Sequence, residues 1–488
     1  MSDQVRTSIS HPLMIATVSA GDGRGRVGIT FCPGKKQAHA ATGRWDRDLA
    51  IDVKEIADWG AVVVVSLVES HELTALKVEG VGEAVRANHM DLLHLPIRDV
   101  SVPDGTFEDA WQRHGPGLRA RLRAGFDVLV HCKGGLGRAG LVASRLLIDL
   151  GWAPADALAA VRAARPGAVE TAEQAGYGLA LAPLAGTAPA RTAAAVKDRA
   201  VGALLGLAVG DALGTTLEFS ARDSKPLLTD MVGGGPFRLK PGEWTDDTAM
   251  ALALADSLVA DPKLNEADLM RRFVDWHRRG SYSCTGQCFD IGVTTRQALA
   301  RFERDGNPLA GSSDPQSAGN GSLMRLSPVA IRHWRDRDML VGVAARQSRT
   351  THAAIEAVDA CIAFADMLAD AIAGESRDDV LSRNRTSRSR AVAQILAGCW
   401  RGKRRDEVRS SGYVIHSLEA AIWCVARTAD FRSAVLLAAN LVDDADTVAA
   451  ITGQLAGALY GASAIPQAWL DTLAWRERLT SVAEDLLA

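Results

Sequence analysis

Apolar residues follow two different periods along the chain. In the first third, short runs rich in β-branched residues, Ala61-Val-Val-Val-Val-Ser-Leu and Phe126-Asp-Val-Leu-Val-His, alternate with helical stretches such as Gly140 to Leu150. Near-continuous apolar strands interleaved with helices predict a small α/β domain built on a parallel sheet. The segment Leu181 to Ala195, LAPLAGTAPARTAAA, then replaces periodic patterning with small residues and prolines, as an inter-domain linker does. From Val196 onward the strand signals vanish. Apolar residues recur there at i, i+3 and i+4, as in Ala249 to Val259, Ala353 to Ala371 and Leu418 to Thr428, which predicts an all-helical bundle. We therefore expect a domain over 1–185, a linker over 186–196 and a second domain over 197–488, with the boundary near residue 190. No fixed-period repeat is visible.

Composition sharpens this picture only by exclusion. A chain of 488 residues exceeds what one core organises, and 47% hydrophobic with 23% charged residues excludes disorder, collagen-like repeats and a coiled coil. The net charge of −3 gives no global field that would recruit nucleic acid or an anionic membrane, so any anion site must be local. Met1 to Ala20 lacks a basic segment followed by an apolar core, and no apolar run approaches the roughly 18 residues of a membrane span. A cytoplasmic protein with no membrane or nucleic-acid partner is expected. Seven cysteines form an odd set with only Cys284 and Cys288 close together, which suggests neither a disulfide framework nor a zinc ribbon.

The run Val130-His131-Cys132-Lys133-Gly134-Gly135-Leu136-Gly137-Arg138-Ala139-Gly140 follows an apolar strand and opens a helix. Backbone N–H groups from Lys133 to Arg138 can curl around an anion there. The helix start adds its positive dipole end, and the Arg138 guanidinium offers a fork for two phosphate oxygens. The same field favours Cys132 as a thiolate nucleophile. This segment resembles the signature loop of the protein tyrosine and dual-specificity phosphatases, in the wording of the kinase-associated phosphatase subgroup, and the resemblance extends over about residues 10 to 185. It implies a general acid on a separate loop, which Asp99 in Pro96-Ile97-Arg98-Asp99 matches, with Asp104 as the alternative. Gln174 matches a downstream residue that orients the hydrolytic water. One position departs from the pattern: Ala139 stands where the family has Ser or Thr, a hydroxyl that stabilises the thiolate as it leaves the phosphoenzyme.

Two acidic clusters mark the second half, each running straight into an apolar helix: Gly242-Glu243-Trp244-Thr245-Asp246-Asp247-Thr248, and Asp443-Asp444-Ala445-Asp446-Thr447. Helix capping favours such residues, but one cap needs one side chain. Clustered carboxylates and hydroxyls also suit hard cations such as Mg2+ or Mn2+. Together with Gly202 to Phe219 (GALLGLAVGDALGTTLEF) and Gly319-Asn320-Gly321-Ser322-Leu323-Met324-Arg325, these clusters resemble, in order, the motifs of the ADP-ribosylglycohydrolase family, in the manner of its bacterial dinitrogenase-reductase-activating members. The resemblance spans about residues 196 to 488. It implies an all-α fold around two Mg2+ ions held by Thr245, Asp246 and Asp247 from one side and by Asp444, Asp446 and Thr447 from the other.

By the same resemblance Glu218 and Asp290 approach the scissile bond, either one as general acid or base. Asn320, Gly321 and Ser322 form a loop at the diphosphate, or a plain turn. Gly412 and Tyr413 lie near the adenosine, with Tyr413 stacked on the base or packed in the core, and His352 is either a ligand contact or a structural histidine. Gly206, Gly210 and Gly214 share one helix face and predict close helix packing. The basic positions Arg383, Arg385, Arg388 and Arg390, followed by Arg401 to Arg405, are read as a solvated face. The resulting expectation is a bifunctional hydrolase. One domain releases ADP-ribose from a modified protein, with arginine the favoured acceptor, or from a small ADP-ribose conjugate. The other hydrolyses phosphate monoesters on a phosphorylated substrate, or only binds phosphate and targets the glycohydrolase.

Overall fold

The computed structural model describes residues 5–40, 43–184 and 188–488, so residues 186 and 187 of the expected linker lie outside the described part. The chain forms two compact units, Met1–Thr187 and Ala188–Ala488.

The first unit is α/β. Its strands are β1 (Ala16–Ser19), β2 (Arg26–Phe31), β3 (Lys36–Ala40), β4 (Gly43–Asp46), β5 (Ala61–Ser66), β6 (Asp91–His94) and β7 (Asp127–Cys132). Five of them make one sheet in the order β1-β2-β7-β5-β6, parallel except for β1, which pairs antiparallel with β2 at the edge. β3 and β4 form a separate antiparallel pair. The central strands β5 and β7 are covered on both faces, which is why their sequences run apolar without alternation. Helix α1 (Gly105–Arg123) starts at Asp104, whose carboxylate accepts the Phe107 N–H. β7 leads through a tight loop into α2 (Gly137–Asp149), every residue of which is buried.

The second unit is helical, with no named strand among its described residues. Its axis is α3 (Ala193–Gly214), which begins inside the segment expected as linker because Thr192 caps it, accepting the Ala195 N–H. By length and composition α3 could cross a bilayer, contrary to the expectation that no such run exists, but 94% of that stretch is buried inside the unit. α3 is apolar on all sides because helices surround it. It lies against α7 (Ala445–Tyr460), with α4 (Asp246–Ala260), α5 (Ile355–Ala373) and α6 (Val414–Arg427) packed around the pair.

Glycine makes the α3–α7 contact possible. A Cβ at Gly202 would stand 2.5 Å from the Gly457 carbonyl oxygen, and Cβ atoms at Gly206, Gly210 and Gly214 would overlap the carbonyls of Gly453, Ala449 and Ala445. Backbone therefore meets backbone along four turns, as the four-residue glycine spacing predicts. Within the basic run after α5, Arg383, Arg388 and Arg390 are exposed as expected of a solvated face, and Arg385 departs from it. Arg385 is nearly buried and reaches Asp366 at 2.7 Å and Asp370 at 2.5 Å, while Arg383 reaches Asp370 at 2.8 Å. Asp370 is fully buried and needs these partners.

Gly206→Ala is expected to destabilise the helical unit by about 3 kcal/mol, the upper end of overpacking costs. Gly342→Ala, in the helix Arg337–Thr351 where an added Cβ meets nothing within 4 Å, is expected to be neutral or stabilising by up to about 1 kcal/mol. Thermal melts of the two variants check the contrast, and equal melting temperatures would contradict the close contact.

Candidate functional site

The two acidic clusters meet at the starts of α4 and α7. Thr245 is the N-cap residue of α4 and Asp444 that of α7, yet neither side chain caps its own helix. The capping is done from elsewhere. Asp211, on α3, accepts the Thr248 N–H at 3.0 Å, and Glu218, just beyond α3, accepts the Ala445 and Asp446 N–H groups at 2.6 and 3.2 Å. Capping therefore does not account for the carboxylates at 246, 247 and 444. Asp211, Asp247 and Asp446 bring carboxylate oxygens within 4.8 Å of one another, and so do Glu218, Asp444 and Asp446.

Among the described residues no basic side chain forms an ion pair with this cluster, and the buried Arg325 acts only at a distance, on Asp246. Burial first, then the neighbouring Asp446 and Asp211, hold the Asp246 carboxyl well above its ordinary value, and burial, Asp211 and Asp446 do the same for Asp247. Burial and Asp446 push Glu218 up to about 12 and, with Asp246 acting as well, Asp290 up to about 11. Asp446 is hydrogen-bonded to both of these carboxyls. Asp247 Oδ1 is buried without a hydrogen-bond partner. An orphaned oxygen amid crowded carboxylates is the environment a hard divalent cation relieves, so these residues fit a metal centre.

A cavity of about 590 Å3 opens over the cluster. Glu218, Asp246, Asp290, Asn320, Gly321, His352, Gly412, Asp444 and Thr447 line it. Thr245, Asp247 and Asp446 lie deeper, behind that wall. The Asn320 side chain donates to Asp444 Oδ2 at 2.5 Å and to Ser417 at 2.8 Å, which ties its loop to the second cluster. His352 is buried, shares a hydrogen bond with Thr351 and is pushed down to about 3 by burial and by Arg325, so it is neutral. Two residues expected at the ligand face elsewhere. Ser322 is fully buried and bonds Ser348, and Tyr413, at the start of α6, gives its hydroxyl hydrogen to Glu356 at 2.5 Å.

The structure adds residues that sequence reasoning passed over. Asp211 was hidden as the single charged letter in the apolar stretch Ala200 to Gly214, and its only signal was that a charge so placed must have partners. The cavity wall also contains Gly292, Val293, Thr294 and Thr295, the uncapped start of the helix Val293–Asp305, whose free N–H groups suit an anion. Around the rim, Phe219, Asp290, Val442 and Asp443 all adopt positive φ, between 56° and 65°.

In the first unit, the loop Cys132 to Gly137 joins β7 to α2, and Cys132 Sγ accepts the Gly135 N–H at 3.2 Å. Gly135 has φ 69°, and a Cβ there would meet the Thr30 and Phe31 backbone at 2.5 Å, so glycine is required. Arg138 is held by Glu72 through both terminal nitrogens, at 2.6 and 3.0 Å, donates to the Ile97 carbonyl at 2.9 Å and pairs with Asp99 at 2.8 Å. Burial opposes the Glu72 charge, but Arg138 prevails and holds the carboxyl below its ordinary value. Lys133 stands 3.7 Å from Asp99. Asp104, the alternative acid, is committed to capping α1. Gln174 is buried, with its amide spanning Glu170 N and Ser101 O, while Glu170 accepts the Gly137 N–H at 2.8 Å. Ala139 is fully buried.

Residues 192–488 match the ADP-ribosylglycohydrolase family model. The chain belongs to the ADP-ribosylglycohydrolase family. Residues 46–176 match a second model, the DSP-PTPase phosphatase domain of Swiss Army Knife proteins. The chain is 48% identical over 289 residues to the ADP-ribosylarginine hydrolase Tri1 of Pseudomonas putida (strain GB-1), covering 59% of this chain and 78% of that one. It is 35% identical over 286 residues to the ADP-ribosyl-[dinitrogen reductase] glycohydrolase of Rhodospirillum rubrum, covering 58% and 92%. A solved ADP-ribosylglycohydrolase-related protein complex superimposes with a TM-score of 0.54 at 40% identity, over 60% of this chain and 98% of that one. The protein is thus a hydrolase of the ADP-ribosylglycohydrolase family that carries a phosphatase-like domain.

The crowded carboxyls predict a pH dependence. Asp211 and Asp444 rise to about 7 in the fold, chiefly through burial and Asp446, from an ordinary 3.8. Raised carboxyls bind more protons folded than unfolded, so their contribution is present at low pH and lost as pH climbs through about 7. With EDTA present, the melting temperature of the helical unit is expected to fall between about pH 5 and about pH 8, and the increment restored by Mg2+ to grow over that interval. A Mg2+ increment that is flat with pH would contradict the assignment.

Proposed function

We propose that the helical unit hydrolyses the glycosidic bond joining ADP-ribose to an arginine side chain of a modified protein. The observation that carries this reading is the convergence on one cavity of two acidic helix starts whose caps come from elsewhere, which leaves their own carboxylates free for ligands. The similarity to an ADP-ribosylarginine hydrolase supports arginine as the acceptor.

In this reading Thr245, Asp246 and Asp247 of the α4 start and Asp444, Asp446 and Thr447 of the α7 start hold two Mg2+ ions, with Mn2+ an acceptable substitute. Bound there, the ions would supply Lewis acidity toward the ribose hydroxyls and a water. Glu218 and Asp290 both line the cavity, and one of them serves as the general acid that delivers a proton to the leaving nitrogen. The N–H groups at the start of Val293–Asp305, together with the Asn320–Gly321 loop, face the diphosphate, and Gly412 leaves room at the adenosine end. A cytoplasmic setting accords with such a substrate.

The phosphatase-like domain hydrolyses a phosphate monoester in the same reading. The Cys132 thiolate forms a bond to phosphorus within the Lys133–Arg138 loop while the ester P–O bond breaks and Asp99 protonates the leaving oxygen; water then releases phosphate. Ala139 favours a second reading for this domain, slow turnover or phosphate binding alone, since no hydroxyl follows Arg138 to assist the departing thiolate.

Two experiments test these assignments. Free ADP-ribose should be released from arginine-ADP-ribosylated protein with Mg2+, and release should fall to background with EDTA and in Asp246→Asn/Asp247→Asn. Absence of release by the wild type with Mg2+ would move the acceptor to serine-linked or small-molecule ADP-ribose. With an aryl phosphate, the wild type should show a burst of one product equivalent followed by slow turnover, and Ala139→Ser should speed the slow phase. Cys132→Ser should abolish both. No burst and no effect of Ala139→Ser would refute the hydroxyl argument.

A further inference from the structure

Asp211 approaches the acidic centre from behind, on α3, and no solvent reaches it. Its Oδ1 accepts the Thr245 N–H at 2.8 Å and the Thr245 hydroxyl at 2.9 Å. Its Oδ2 accepts the Thr248 N–H at 3.0 Å and the Thr248 hydroxyl at 2.7 Å. A carboxylate offers about four lone-pair sites, and these four donors fill them. Asp211 therefore has no lone pair left for a cation, although its oxygens lie as near to those of Asp247 and Asp446 as a ligand's would.

The Thr245 hydroxyl has one hydrogen and three carboxylate neighbours. Asp211 Oδ1 is the nearest, while Asp247 Oδ2 and Asp446 Oδ2 each stand at 3.3 Å. With the hydrogen on Asp211, the hydroxyl turns its lone pairs toward the other two carboxylates. Oxygen then faces oxygen there, an arrangement that a shared cation stabilises. By accepting the Thr248 N–H, Asp211 also does the capping that Thr245 would otherwise do.

We propose that Asp211 is the positioning residue of the metal centre: it orients Thr245 as a neutral oxygen ligand and caps α4, without binding the metal itself. This rests on the metal-centre reading above, and it explains why one acidic residue belongs in the otherwise apolar stretch Ala200 to Gly214 of α3.

The test uses the full-length protein with Mn2+ alone. Affinity is read from the electron paramagnetic resonance of free Mn2+, and folding from the melting temperature in EDTA. Asp211→Asn turns one acceptor into a donor and is expected to lose about 10- to 100-fold in Mn2+ affinity, as partners that orient metal ligands do. Thr245→Val should lose affinity to a similar degree, and the Asp211→Asn/Thr245→Val double variant little more, because both changes remove the same oriented hydroxyl. Additive losses would make Asp211 an independent ligand, and unchanged affinity in Asp211→Asn would leave it a helix cap alone; either overturns the proposal. Should Asp211→Asn fail to fold, Thr245→Ser against Thr245→Val carries the test. Serine keeps the hydroxyl and is expected to keep the affinity, whereas a valine variant that binds like wild type overturns the proposal. Wild-type protein that binds no Mn2+ overturns the metal reading along with it, which separates that failure from a failure of Asp211 alone.

Discussion

The backbone contact between α3 and α7 is the constraint on which the helical unit depends. Four glycines on α3 let its backbone lie against Gly453, Gly457, Ala449 and Ala445 with no side chain between. Helices with larger residues at the contact stand 8–10 Å apart. The closeness has a chemical result, because the last turn of α3 then lies against the first turn of α7. Glu218, just past the end of α3, can consequently cap α7, and Asp211, one turn before that end, can cap α4. Two acidic helix starts are thus brought together by a third helix that contributes no side chain to the cavity wall.

This arrangement concentrates negative charge where the surroundings cannot neutralise it. Two other buried carboxylates have cations: Asp370 has Arg337, Arg383 and Arg385, and Glu72 has Arg138. The cluster at 211, 218, 246, 247, 290, 444 and 446 has no ion-pair partner among the described residues, only the more distant charge of Arg325 on Asp246, and the repulsion within it works against folding. A protein retains such a group only if something that binds the folded state offsets the cost, as a metal does. The two units contrast in this respect. In the phosphatase-like domain the arginine is already gripped by protein carboxylates, whereas in the helical unit the clustered carboxylates form no ion pair among the described residues.

Much of this was legible in the chain. Period separated the α/β unit from the helical one, and the glycine spacing on α3 announced its close contact. The acidic runs marked where the site would lie, because runs of like charge before apolar helices exceed what capping needs. Orientation was not legible. Ser322 sits in a motif beside two cavity residues, yet its side chain turns to Ser348, and Tyr413 turns to Glu356, because a motif fixes positions along the chain and packing decides which way each side chain faces. Asp104 stood as the alternative to Asp99 until the structure showed it spent on α1 and Asp99 on Arg138. Arg385 read as solvent-facing because its partners Asp366 and Asp370 lie on a different helix. Asp211 was invisible for the same reason, since its four donors are more than thirty residues away.

The rim of the cavity carries its own consequence. Phe219, Asp290, Val442 and Asp443 hold backbone angles that side-chain-bearing residues avoid, and Val442 is β-branched, the type least suited to them. The two strained stretches are laced together, with the Phe219 N–H on the Asp443 carbonyl and the Asp443 N–H on the Ser220 carbonyl. Free energy is therefore stored in the backbone around the site, where folding has already set the spacing between Glu218, Asp290 and the α7 acids. A substrate entering such a site finds a mould that is already set, and little of its binding energy goes into shaping it.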